Sequence, residues 1–488
     1  MCQPSFAADD PPADKIQAKL DALQKEIDEL KQEQQKANLT AQEQPKATMN
    51  YSRFTVTSAD GRSSIAFRAM VQADAAVYNQ DPAGPLATDF RRGSVGGVPN
   101  RENNGARDLS SGIYFRRARF GVEGLVARDF NYRFVGELGG SGTELQGRIN
   151  DAYIAYTGLA PFTFQIGAFA PPSNLEDGTP ADETLFIERA TPNELSRAFG
   201  AADGRIGLGV RGNGTRWMGA VTLTSRTVTD PEVFDAQSAV VARAGFLAMT
   251  SANYNLHVGA SGTYIIHPAD QGIDATGVRA GVRLRERPEL RVDSTRLIDT
   301  GSIDASHGYL LGAELAGNWH SFYAQAENYW VSVDRLSPTV SDPTFGGYYV
   351  QASWITTGES HRYNMANAAF QAPRPFKPFS AGGGSGAWEF AARFSHMDLN
   401  FAEGAAGTAP TPSSIRGGMQ DIWTFGINWY ATPNVRFVLD YQLVDVDRLN
   451  PAGPGNAAPF GPPPATPPVG VQIGQSYNAV SLRSQFSF

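Results

Sequence analysis

The feature that most narrows the fold of this chain is a period of two. "SGIYFRRARFGVEGLV" (111–126) places Ala118, Phe120, Val122, Gly124 and Val126 on one side of an extended segment and Arg117, Arg119, Gly121 and Glu123 on the other. Successive strand side chains point to opposite faces, so one face suits hydrocarbon and the other suits water. The pattern recurs. In "SIAFRAMVQADAAVY" Ile65, Phe67, Ala69, Val71, Ala73, Ala75 and Val77 oppose Arg68, Gln72, Asp74 and Tyr78. "FNYRFVGEL" sets Phe130, Tyr132, Phe134 and Leu138 against Asn131, Arg133 and Glu137, and "GAWEFAARFS" and "NVRFVLDYQ" present Arg393 and Arg436 on their polar faces. No run of about 18 apolar residues exists, which excludes a transmembrane helix. The strands of a membrane barrel carry only alternating apolarity over about 10 residues and escape that criterion.

Two architectures can use such strands. In a soluble sandwich the apolar faces form a core and the arginines meet bulk water, where lysine would serve as well. In a membrane barrel the apolar faces meet lipid, with Phe67, Phe120 and Phe134 on the exterior, and the arginines line a confined polar lumen. Lysine usage separates the two. Six of the seven lysines lie at or before Lys46, and after it only Lys377 accompanies the 34 arginines. The closing "VSLRSQFSF" puts Val480, Leu482, Phe486 and Phe488 on one face, an ending that soluble domains rarely have and bacterial outer-membrane barrels usually do. The expected fold is therefore all-β, a 16-stranded antiparallel transmembrane β-barrel, with eighteen strands the alternative.

Strand parity refines the count, because bacterial barrels have an even number of strands, short periplasmic turns and longer outer loops. Seventeen candidate segments follow Ile65. The weakest is 277–290, "GVRAGVRLRERPEL", which crowds in four arginines and ends near Pro288, a residue unsuited to a wall strand. Without it, residues 268–305 form one long outer loop and 358–386 a long periplasmic connection. Loops this long in a compact protein call for a function. Three are candidates for pore constrictions: 170–203, 268–305 and 358–386. The loop 80–111 and the Pro-rich stretch 450–470 are expected at the exposed surface.

The N-terminal region follows other rules. "PSFAADD" resembles the end of a secretory signal, and residues 1–13 are expected to be a signal remnant or flexible; the rival reading of Cys2 as a lipid anchor lacks its apolar run. In residues 14–37, Ile16, Leu20, Leu23, Ile27 and Leu30 recur at steps of four and three, the seam of a short α-helical coiled coil expected in the periplasm. About three heptads are marginal alone because helix nucleation is costly. Residues 38–63 are expected to be a linker and 64–488 the outer-membrane barrel with inward-folded loops.

The segments "FRRARFGVEG", "DAYIAY", "PFTFQIGAFAPP", "LFIERATPN", "RPELRVDSTRLIDTG", "GYYVQASWITTGES", "GINWYATPNVR" and "LRSQF" together resemble the phosphate-selective porin family, porins O and P, from about residue 60 to 488. The resemblance implies a 16-stranded outer-membrane barrel assembled as a homotrimer, whose third and fifth outer loops and seventh periplasmic turn fold into the pore, with arginines along the lumen guiding anions. Phosphate-specific members carry two lysines and a pair of serines in the third loop. Here the lysine positions fall on Asp177 and Asp182, and the serine positions on Pro180 and Ala181.

That departure sets the functional expectation. Residues 170–203 hold seven acids (Glu176, Asp177, Asp182, Glu183, Glu188, Glu194 and Asp203) against Arg189 and Arg197, a balance of −5. At about 4 Å and an effective dielectric near 20, each unpaired carboxylate repels an anion by roughly 4 kcal/mol. Such a loop, facing Arg68, Arg117, Arg119, Arg133, Arg205 and Arg211 on the wall, creates a transverse field that admits small polar solutes with weak charge selectivity. The structural alternative is that these arginines pair with Glu123, Glu137 and Asp151 on neighbouring strands. Arg279, Arg283, Arg285 and Arg287 in the second long loop could restore anion preference. The expectation is passive diffusion of small hydrophilic solutes and ions. The alternatives are a phosphate or other anion-specific channel, and an envelope protein that tethers the outer membrane to the cell wall or periplasm through residues 14–37.

Other chemistry is excluded or unsupported. The net charge of −8 speaks against nucleic acid as a partner. A single cysteine rules out Cys-type zinc sites and an internal disulfide. "GLGVRG" (207–212) matches a dinucleotide pattern but lacks the following helix. The histidines at 257, 267, 307, 320, 361 and 396 share no metal-like spacing. No catalytic constellation, cofactor or metal is expected.

Overall fold

A computed structural model describes residues 13–50, 53–80, 94–95, 98–99, 109–140, 147–230, 234–270, 272, 281–451 and 469–488. Sixteen strands make the wall: β1 (Ser64–Asn79), β2 (Gly112–Val126), β3 (Phe130–Glu137), β4 (Arg148–Leu159), β5 (Phe162–Phe169), β6 (Arg205–Asn213), β7 (Trp217–Thr227) and β8 (Ser238–Thr250). The circuit continues through β9 (Tyr254–His267), β10 (Ile303–Trp319), β11 (Phe322–Arg335), β12 (Thr344–Ile355), β13 (Ala387–Phe401), β14 (Ile415–Tyr430), β15 (Val435–Asp447) and β16 (Ser476–Ser487). Each strand pairs antiparallel with the next, and β16 closes on β1 from Asn478↔Asn79 to Ser487↔Met70. Ala69 and Phe488 exchange backbone hydrogen bonds of 3.1 and 3.0 Å across that seam. Closure removes every free edge, which a wall in hydrocarbon requires.

The alternation works as expected over the middle of the wall. Phe67, Phe120 and Phe134 are 44 %, 51 % and 52 % exposed on the exterior, while Arg117 on the opposite face is 5 % exposed. Six of the seven tryptophans are exposed on the exterior, and the seventh, Trp429, stacks on Trp388. All seven lie between β7 and β14.

The segment 277–290 is not a wall strand. Its described part contributes two short pairings, Gly281–Val282 against the start of β10 and Arg285–Glu286 against Ile298–Asp299. The second long loop folds inward, and its Leu284, Leu290, Leu297 and Ile298 pack on Leu399, Ile422, Val444 and Val446 of the wall. The principal apolar core thus lies inside the barrel, at its long-loop end. Counting the 58–63 turn first, the connection 356–386 is the seventh short-side turn, and it folds inward as a hairpin of Arg362–Asn364 and Ala369–Gln371.

Before the barrel, helix α1 (Ala13–Glu43) continues six residues beyond the expected seam, with Leu20, Leu23, Ile27 and Leu30 each at least 44 % exposed. None of the described helices is long and apolar enough to cross a membrane. The expected linker is more ordered than its composition suggested: Lys46–Asn50 and Arg53–Thr57 form a hairpin whose second arm pairs with the start of β1. The signal remnant and most of the surface stretches 80–111 and 450–470 lie outside the described residues.

Candidate functional site

The loop from β5 to β6 crosses the lumen and carries two helices, α2 (Leu175–Gly178) and α3 (Thr191–Gly200). Asn174 starts α2 by accepting a 2.8 Å hydrogen bond from the Asp177 amide, a use of Asn at a helix start that satisfies an orphan donor. The Leu175 and Glu176 amides donate to Glu327 on β11 at 2.8 and 3.1 Å, and Asn193 donates to Asn174 at 2.6 Å. Pro192, in the first turn of α3, fixes a helical φ where no amide donor is needed.

The carboxylates of this loop are largely neutralised. Glu188 receives Arg116 at 2.5 and 3.1 Å, Arg483 at 3.1 Å, Arg291 at 3.4 Å and Arg117 at 3.9 Å. Burial pushes its carboxyl up, but Arg116, Arg117 and Arg291 reverse this and hold it well below the usual carboxylate range. Asp177 pairs with Arg197 at 2.5 Å and Arg189 at 3.7 Å. Glu194 meets Arg291 at 2.9 Å and Arg197 at 3.0 Å, and Asp203 meets Arg197 at 2.8 Å and Arg119 at 2.9 Å. Glu176 faces Arg393 at 3.6 Å and Glu183 faces Arg362 at 3.5 Å. Burial pushes the Glu176 carboxyl up to about 7 against the pull of Arg393 and Arg189. The premise of unpaired carboxylates thus does not hold for six of the seven loop acids; Asp182 is the one whose carboxylate has no arginine within 4 Å among the described residues.

Below the loop, toward the short-turn end, lies a cavity of about 930 Å³. Its lining combines wall residues Arg68, Arg119, Arg133 and Arg211, loop residues Asp177, Asp182, Glu183 and Arg189, and Arg362 and Arg374 from the inward connection. In all, ten arginines and five acids line it, with no lysine. Pro180 and Ala181 line it too, held by Gln72 donating to the Ala181 carbonyl at 3.2 Å and Gln485 donating to that of Asp182 at 2.7 Å. Several arginines also make the cross-strand pairs of the structural alternative: Arg68 with Glu123 at 2.9 Å, Arg119 with Glu137 at 2.7 Å and Arg133 with Asp151 at 3.2 Å. Arg211 and Arg374 have no carboxylate within 4 Å among the described residues.

Other expected positions fall elsewhere. Arg117 and Glu188 belong to the buried anchor of the loop and not to the cavity lining. Arg205 is buried and donates to the Ala201 and Ser225 carbonyls at 2.7 Å each, clamping the loop end. Arg279 lies outside the described residues. Arg283 pairs with Asp299 at 2.5 Å and is 43 % exposed, and Arg285 is exposed as well. They turn to water because the intervening Leu284 is drawn into the core. Arg287 is buried, donating to the Ser294 carbonyl at 3.2 Å, and Arg291 of the same loop reaches the acids instead.

Alternation missed Arg116. A β-bulge pairs Gln72 with Arg117 but Ala73 with Phe115, leaving Arg116 as the extra residue and letting both arginines face inward. By contrast, Arg483 sits on the polar face of "VSLRSQF" and was legible; it binds Asp74 through two contacts of 2.7 Å. The buried histidines hold internal contacts. His257 bridges Tyr363 at 2.8 Å and Glu314 at 3.1 Å, and His361 meets Glu389 at 2.6 Å. Among the described residues there is no cluster with metal-binding geometry.

Comparison with known proteins places this arrangement. Residues 92–458 match the family model described as phosphate-selective porin O and P. An uncharacterised protein of Caulobacter vibrioides is 28 % identical over 362 residues, 72 % of this chain; the chain spans 66 % of that relative, just under two thirds of its length. Porin O of Pseudomonas aeruginosa is 24 % identical over 385 residues, covering 75 % of this chain and 83 % of Porin O. Among solved structures, an anion-selective porin from Comamonas acidovorans aligns over 87 % of this chain and 100 % of its own, with 12 % identity and a TM-score of 0.49. The channel DcaP of Acinetobacter baumannii aligns over 87 % and 97 %, with 10 % identity and a TM-score of 0.45. The family match, spanning most of the barrel, carries the assignment: the chain belongs to the phosphate-selective porin O and P family, a family of outer-membrane β-barrel channels and not of enzymes.

Proposed function

We propose that this barrel passes small hydrophilic anions, phosphate-class oxyanions among them, by passive diffusion through the arginine-rich cavity. The observation that carries the reading is the two-to-one excess of arginines over acids in the cavity lining, set beside the internal pairing of the loop carboxylates. Fixed cations on low-dielectric walls raise the local anion concentration and steer anion entry. The phosphate selectivity in the family's description supports the same direction. A weakly selective diffusion pore is the second reading, favoured by Asp177 and Asp182 at the positions where phosphate-specific members carry lysine.

The same reading extends to the assembly. Short turns of such barrels face the periplasm, so α1, which enters at that end, extends into the periplasm as a coiled coil of three copies, each attached to one barrel. Residues 38–63 then connect coil to wall, and the Trp-free exterior from β15 through β6 is the face that meets neighbouring protomers, with lipid bathing the rest. A tethering role for the coil in the envelope is compatible with conduction.

The test is a planar bilayer with a KCl gradient. Anion selectivity by reversal potential, chloride current reduced by added phosphate, and loss of both in an Arg211→Glu, Arg374→Glu double variant are the expected results. Cation selectivity in the unaltered protein would overturn the reading, and anion selectivity without any phosphate effect would favour the diffusion pore.

A further inference from the structure

The inner surface of the wall continues onto a segment that precedes the barrel. β16 leaves its edge of β1 at Ala69, where Phe488 exchanges backbone hydrogen bonds. The second arm of the N-terminal hairpin then takes over that edge, with Thr55↔Ala66, Val56↔Ile65 and Thr57↔Ser64. The arm reads "RFTVT", the same period of two as the wall. Phe54 meets the exterior Phe67 with ring centroids 5.9 Å apart, so Phe54 and Val56 face outward while Arg53, Thr55 and Thr57 face inward. Continuing the register by two residues sets Arg53 beside Arg68, and both line the cavity.

Inside the wall, Arg53 reaches across β1 to Glu123 on β2. One Glu123 oxygen takes Arg53, and the other takes Arg68 at 2.9 Å and faces Arg133 at 3.8 Å. Arg133 turns more closely to Asp151, at 3.2 Å. The members of this cluster differ in their access to water. The Arg53 side chain is 45 % exposed, against 26 % for Arg68 and 15 % for Glu123, so Arg53 presents its charge to the solution in the cavity while the carboxylate is the more shielded partner. A fixed charge beside low-dielectric walls raises the local concentration of ions of opposite sign. The solvent-facing member of the cluster therefore sets the sign that a solute meets there.

We propose that Arg53 is a specificity-determining residue of the channel, the charge by which the hairpin outside the barrel draws small anions to the short-turn mouth, an inference that rests on the cavity being the solute path. The test uses an Arg53→Cys, Cys2→Ser variant inserted in a planar bilayer. Position 53 is then modified with a methanethiosulfonate that carries either a trimethylammonium-ethyl or a sulfonatoethyl group. Folding is complete before either charge is attached, so a merely structural role of Arg53 produces no difference between the two. With a KCl gradient kept below about 0.1 M, the anion-to-cation permeability ratio should be higher after the cationic reagent than after the anionic one. The expected difference is on the order of fivefold, the scale of two unit charges acting through water at about 8 Å. Near 1 M KCl, where the screening length falls to about 3 Å, the difference should shrink. Equal ratios after the two reagents, or failure of position 53 to react, would overturn the assignment of Arg53. Cation selectivity in the unaltered protein would overturn the anion reading instead, while a difference between the reagents would still assign selectivity to Arg53.

Discussion

Glu188 is the charge on which the loop inside the barrel turns. It is 3 % exposed and faces Arg116, Arg117, Arg291 and Arg483; Arg483 also holds Asp74 and Arg291 also holds Glu194, so removing the Glu188 charge would take from Arg116 and Arg117 the carboxylate they share, in a site that water reaches poorly. Breaking a buried ion pair by deleting one partner costs roughly 3–5 kcal/mol, because the remaining charge stays desolvated. Glu188→Gln should therefore lower the stability of the folded barrel by that order, read as loss of heat-resistant mobility on a gel at a lower temperature. An unchanged transition would mean that Arg116 and Arg117 find other partners. The residues around Glu188 also show how far alternation can be read. Arg117, Arg119 and Arg483 follow from period two, whereas Arg116 depends on a bulge that a pattern of single residues does not encode. The loop acids were legible as residues but not as a charge state. Their neutralisation comes from arginines far away in sequence, such as Arg393 on β13 and Arg483 on β16.

At the scale of elements, the inward connection 356–386 acts as a brace for the β5–β6 loop. Its tip is tied by Arg243 donating to the Asn367 and Ala368 carbonyls at 2.7 and 2.9 Å, and by Asn367 donating to the Gly178 carbonyl at 3.2 Å. Thr179 donates to the Phe370 carbonyl at 2.8 Å, so loop and hairpin are joined directly. Replacing residues 362–371 with a short Gly-Ser linker removes these ties and the Arg362 side chain from the cavity. The expected outcome is a higher and noisier single-channel conductance with unchanged heat resistance, since the wall hydrogen bonds remain. Conductance equal to that of the intact protein would show that the hairpin does not limit the path. The connection was visible in the sequence as excess length between two strands, but its contacts were not. Near the long-loop end the strand code also inverts. Val444 and Val446 point inward to the packed second loop, while Asp445 and Asp447 point outward. Period two reveals that two faces differ, and only the surroundings decide which face is wet.

For the whole molecule, two asymmetries bear on the same assembly. The exterior tryptophans all lie between β7 and β14, leaving β15 through β6 without tryptophan, one of the two aromatic residues that favour a lipid–water boundary. The exposed Leu20, Leu23, Ile27 and Leu30 of α1 form a stripe that a single helix leaves in water, and heptads with apolar residues at both seam positions bury such a stripe only against other helices. The chain leaves α1 through the 46–57 hairpin and enters β1, so α1 is joined to the Trp-free face. A trimer held by both would bring three α1 helices to its axis. In that arrangement Leu23→Cys should cross-link copies under oxidation, whereas Trp330→Cys, on the lipid-facing side, should not. Deleting residues 13–43 should lower resistance of the trimer to dilution in detergent while leaving the conductance of each pore unaltered, because no α1 residue lines the cavity. A trimer of undiminished resistance after the deletion would assign assembly to the wall alone, and cross-linking through Trp330→Cys would place the contact on the opposite face.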